Sequence, residues 1–157
     1  MNRFLGLFAL ATALVYGALV YYGLFRLGVE SGRLPMFDIR ALGYGPTEAE
    51  AYLAVLTDEG RRLIAGPIRI LDTLFPPMLG LLLALSIWAN GRPFLAPVPL
   101  GYTAVDLWEN ATVGAMIHSG DTALATTASN LTQGKYALLL LSLAILWMAW
   151  REARARG

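Results

Sequence analysis

From Phe4 to Phe25 the chain reads FLGLFALATALVYGALVYYGLF, 22 residues without a charge. As a single α-helix this run reaches about 33 Å, enough to cross a hydrocarbon core of about 30 Å. A segment of that kind either stays in a bilayer or is removed by processing. Arg3 gives the weakly positive start of a secretory signal, but the apolar run is longer than an ordinary signal core. It also closes on Tyr21, Tyr22 and Arg26, not on a small-residue cleavage site. The expectation is a retained anchor.

Composition extends that reading to the whole chain. Of 157 residues, 57% are hydrophobic and 15% charged, with a mean hydropathy of +0.55; soluble domains lie nearer about 45–50% and 25%. A net charge of +1, with 12 basic residues scattered among 11 acids, does not supply the concentrated basic surface that nucleic acid needs. The chain has no cysteine and one histidine, His118. Disulfides, thiolate metal sites and multi-histidine centres are thereby excluded within this chain, and no cofactor or metal is expected.

Three further spans are expected, at about 68–89, 99–117 and 132–150, with an extramembrane amphipathic segment at about 27–66. The fold class is therefore all-α: one membrane domain, residues 1–157, with four transmembrane helices in a bundle. In the 27–66 segment, Thr47 and Glu50 follow Pro46 at capping-box spacing and predict a short helix whose apolar stripe is Tyr52, Leu53, Val55 and Leu56. It reads as a lid over the bundle mouth or as a solvated connector. The Pro76-Pro77 pair predicts a kink near Asp72 to Phe75, with the uninterrupted helix starting beyond it. Residues 122–134, small and polar, read as a loop or a weak helical extension. Arg3, Arg92, Arg151, Arg154 and Arg156 flank one side, opposed there only by Glu152. The expected location is the bacterial inner membrane with both termini cytoplasmic.

Within the third span Asp106, Glu109 and Asn110 share one helical face. An acid at mid-span costs roughly 2.5 to 3.5 kcal/mol on insertion scales, so the two need compensation. Protonation, a cation from Arg69, Arg92, Lys135 or a ligand, or a wet cavity would each serve. Asp72 is the expected contributor from the second span, because prolines nearby free backbone carbonyls. Asp72, Asp106, Glu109 and Asn110 form the candidate site. Polar glue between helices, a site for a small lipophilic or cationic ligand, and acid–base catalysis all fit this pattern. No phosphate loop, nucleophile elbow or paired-histidine zinc motif is present.

Leu71, Asp72, Phe75 and Pro76 as L-D-x-x-F-P, followed by D-x-x-E-N at Asp106 to Asn110, resemble a family of small four-helix bacterial membrane proteins. That resemblance implies the architecture over most of the chain and no particular activity. The long first loop and inward acids are also similar, in topology alone, to the EXPERA families, whose bundles enclose sterols or lipophilic amines. No histidine–carboxylate pair of the isomerase type can be assigned here. The function expected is an integral membrane protein with a buried carboxylate cluster that binds a small lipophilic or cationic ligand. The alternatives are an accessory subunit contacting membrane-protein partner subunits and, third, a lipid- or isoprenoid-modifying enzyme.

Overall fold

A computed structural model describes residues 3–155; Arg156 of the basic tail lies outside the described residues. Among the described residues there are five helices: α1 (Arg3–Glu30), α2 (Pro46–Val55), α3 (Asp58–Ala89), α4 (Val98–Ser119) and α5 (Thr122–Ala155). Single 3₁₀ turns lie at Phe37–Ile39 and Pro93–Leu95. No strand occurs among the described residues.

The helices α1, α3 and α5 are long and apolar enough to cross a membrane. The sequence reading counted a fourth such helix. α4 has the length, 22 residues, but falls short in apolarity because Asp106, Glu109, Asn110 and His118 lie within it. α3 packs against α1, α4 and α5, and α4 runs along α5.

Several boundaries differ from expectation for local reasons. α1 continues past Phe25 to Glu30 through a π-helical turn at Tyr21–Arg26. It stops where Gly32 and Arg33 both take the left-handed conformation. The N-cap of α2 is Gly45, not Thr47, since Pro46 already occupies the first helical position. The capping carboxylate is correspondingly Glu48, whose Oε2 accepts from Gly45 N–H at 2.9 Å. Glu50 instead accepts from Thr122 Oγ1 at 3.3 Å. Of the expected stripe, Tyr52 and Leu56 are buried, while Val55 is exposed.

The kink in α3 is not at Asp72–Phe75. Gly66 (φ −104, ψ −106), just before Pro67, carries the only non-helical backbone of that helix, and a regular helix runs from Arg69 to Ala89 through Pro76 and Pro77. Finally, 122–134 is helical and makes α5 continuous. Lys135, inside the expected span at 132–150, is buried within the fold.

Two apolar cores result. One, at the α2 end, gathers Leu27, Phe37, Tyr52, Leu56, Ile68 and Met116; the other, at the opposite end, gathers Ala84, Ile87, Ala96 and Ile145. The charged cluster occupies the stretch between them.

Candidate functional site

Lys135, on α5, is the centre of the site. Its Nζ lies 2.5 Å from Glu109 Oε2 and 3.3 Å from Asp106 Oδ1, both on α4. It also forms an ion pair with Asp38, from the segment linking α1 to α2. Asp106 and Glu109 are 4% and 0% exposed. The spacing 106/109 turns both carboxylates to α5, and Lys135 is the only cation that α5 offers between Ala125 and Trp150. Thr132, one turn before Lys135, places its hydroxyl against Glu109 Oε1 and 3.0 Å from Ala128 O, with one proton to give. The Glu109–Lys135 contact is an ion pair without hydrogen-bond alignment.

Oxygens of Asp38, Asp106 and Glu109 all lie within 4.8 Å of one another, a spacing that could hold a metal ion. The ammonium of Lys135 already sits at their common focus. Asp38, Asp106 and Lys135 of this cluster also line a cavity.

Asp72 and Asn110 belong to a second, adjoining contact. Pro76 has no N–H, so the Asp72 carbonyl one turn before it lacks its helical donor. Asn110 Nδ2 donates to this oxygen at 3.0 Å. Thr103 Oγ1 likewise donates to Pro76 O at 2.9 Å. The absence of a side chain on Gly80 allows this approach, because a Cβ there would strike Thr103 and lie 2.9 Å from Pro99 O. The Asp72 carboxylate itself has no hydrogen bond or ion pair among the described residues; Arg69 and Asp106 act on it only at longer range. All four sequence candidates thus lie close together, Asp106 and Glu109 through Lys135 and Asn110 through the Asp72 backbone.

A cavity of about 480 Å³ opens between α1, α3 and α5 beside these groups. Ala9, Leu19, Leu24, Phe75, Leu79 and Leu139 contribute to its apolar wall, and Asp38, Asp72, Tyr102, Asp106, Lys135 and Tyr136 to its polar end. α1 packs mainly on α3, leaving the cavity between α1 and α5.

The segment 36–45 covers the polar end. Tyr136 Oη donates to Asp38 O at 3.2 Å, and Tyr44 N–H donates to Ser129 Oγ at 2.9 Å. Gly43 (φ +94) lets the segment lie against Ser129 and Gln133, where a Cβ would collide. Arg40 stacks over Phe37, Tyr44 and Tyr52. Burial, and then the Glu109 carboxylate, raise the pKa of the Tyr44 hydroxyl above its ordinary value; burial does the same for Tyr52. The residues that cover the polar end are thus 36–45, which precede the short helix expected as lid or connector.

Asp38 and Thr132 were not anticipated from sequence, and Lys135 only as one of several possible cations. Asp38 sits in a loop with no periodicity to orient it. The signal for Lys135 was present: a single cation followed by fifteen largely apolar residues. No family model matches the chain, and no curated protein or solved structure is significantly similar to it.

Proposed function

We propose that this chain is an integral inner-membrane protein that binds a small lipophilic molecule bearing a cationic amine. In this reading the four long helices form a transmembrane bundle, with α4 as the fourth span. Its polar residues are compatible with that role because Asp106, Glu109 and Asn110 turn inward while Trp108, 62% exposed, turns out. The outward side chains of α1, among them Phe4, Leu7 and Leu14, are those a bilayer would cover.

Arg92 pairs with Glu152, so the 90–97 loop and the C-terminal end of α5 share one end of the bundle. The arginines there support a cytoplasmic assignment for that end.

The observation that carries the ligand reading is the unpaired carboxylate of Asp72 at the polar end of an otherwise apolar cavity. Such a pocket buries a hydrocarbon body and meets an ammonium with a charge-assisted hydrogen bond. The gap between α1 and α5 gives a lateral route from lipid. The L-D-x-x-F-P and D-x-x-E-N motifs gain a joint meaning in this reading, as two halves of the contact that holds Asp72 beside the cavity.

The test compares a long-chain primary amine with the alcohol of equal length, by thermal shift of the purified protein in detergent. The amine should bind about tenfold more tightly, the scale of one charged hydrogen bond, and Asp72→Asn should abolish the preference. Equal binding of amine and alcohol to the unaltered protein would reject the reading.

A further inference from the structure

A second recess, of about 440 Å³, lies between α3 and α4 and shares no lining residue with the cavity just described. Its charged or titratable lining is Arg61, Arg69 and His118, with no acid among them. Ala65, Ala111, Gly114 and Ala115 form much of the remaining wall.

Both arginines are held by backbone carbonyls instead of carboxylates. Arg61 Nη1 donates to Ile117 O at 3.1 Å and Nη2 to Leu53 O at 3.3 Å; Arg69 Nη1 donates to Asn110 O at 2.8 Å. Neither makes an ion pair among the described residues, and each keeps guanidinium N–H groups to spare. Asp72, one turn beyond Arg69, acts on it only at longer range. Gly114 is part of the construction, since a Cβ there would come within 2.7 Å of Arg69 Nη1.

The position along α3 fits a headgroup. Arg69 to Ala89 is one regular helix of 21 residues, about 30 Å long, with the exposed Trp88 at its far end. If this stretch fills the hydrocarbon layer, Arg69 stands at one interface and Arg61, beyond the Gly66 bend, stands in the headgroup region.

We propose that this recess binds the phosphate of an anionic phospholipid, with Arg61, Arg69 and His118 facing the headgroup and the small residues of α3 and α4 bordering an acyl chain. Basic recesses between membrane helices select anionic lipids by this complementarity. The proposal shares the membrane assignment with the ligand reading but not its cavity.

The full chain is tested in detergent by native mass spectrometry with phosphatidylglycerol, phosphatidylcholine and inorganic phosphate as probes. The unaltered protein should retain phosphatidylglycerol over phosphatidylcholine, and Arg61→Gln and Arg69→Gln should each reduce that preference about fivefold. Gly114→Ala, which keeps every charge but displaces Arg69, should lower it in the same direction. Asp72→Asn, the variant that probes the other cavity, removes only a distant acid from Arg69 and should not reduce it. Inorganic phosphate should not displace the lipid. Equal retention of the two lipids by the unaltered protein would overturn the proposal without recourse to any variant. So would an unchanged preference in both arginine variants, and displacement by inorganic phosphate would assign the recess to a soluble anion.

Discussion

Asn110 donates its side-chain amide to the backbone carbonyl of Asp72, the oxygen that Pro76 leaves without a helical donor. The side chain therefore completes a neighbouring helix and only indirectly serves the cavity. Asn110→Ala should destabilise the protein by about 1 to 3 kcal/mol, the cost of an unsatisfied buried acceptor. Pro76→Ala restores a helical N–H to the same carbonyl, so the loss caused by Asn110→Ala should be smaller in that background. A double-mutant cycle by denaturant unfolding in detergent measures the coupling. Strict additivity would show that the two residues do not share this acceptor.

Removing the ammonium at the centre of the site should be far more costly than removing any one of its partners. Lys135→Met leaves Asp106 and Glu109 buried and facing each other, and a loss of about 3 to 5 kcal/mol is expected. Adding Asp106→Asn and Glu109→Gln should recover the larger part of it, because the uncompensated charges are then gone. Asp38→Asn should have a smaller effect, since the Asp38 side chain is 28% exposed. The same unfolding measurement ranks the variants.

Close approach of α3 and α4 depends on Gly80. Gly80→Ala places a methyl group against Thr103 and Pro99 O, and an overpacking loss of about 1 to 3 kcal/mol is expected. Gly17, which has open space around its Cβ position, is the control: Gly17→Ala should be neutral or slightly stabilising. Thermal unfolding of the two variants side by side makes the comparison.

The α2 cap carries a pH dependence outside the helices read as spans. Backbone N–H groups of Glu48 and Gly45 hold the Glu48 carboxyl below its ordinary pKa. The folded protein therefore gains from the ionised form at pH values above the unfolded pKa, about 4.3, and loses that gain as pH falls through the lower folded value. Hydrogen exchange over 46–55 should be faster in Glu48→Gln than in the unaltered protein at neutral pH. The difference should close in acid, below the folded pKa.

The charge-free run of α1 and the apolar stretches of α3 and α5 were readable because a membrane-length helix needs only composition and length. The 106/109/110 face was readable because helical spacing fixes it before any tertiary contact forms. What sequence left open depended on packing. The bend belongs to Gly66, and α3 stays regular through Pro76 because Asn110 on another helix takes up the freed carbonyl. The polar stretch before Lys135 continues as helix because Ala125, Ala128, Ser129 and Thr132 are buried against the rest of the fold. Asp38 joins the site through a loop whose path is set by Ser129, Gln133 and Tyr136, contacts that no local pattern announces.

The cavity beside Asp72 is tested most directly by native mass spectrometry of the protein extracted gently from its own membranes, with and without Asp72→Asn. The expected result is a reproducible small lipophilic amine on the unaltered protein, lost from a folded Asp72→Asn variant that retains its other lipids. Identical small-molecule adducts on the two proteins, or none on either, would contradict the binding function and leave the buried charges as the cement of the helix bundle.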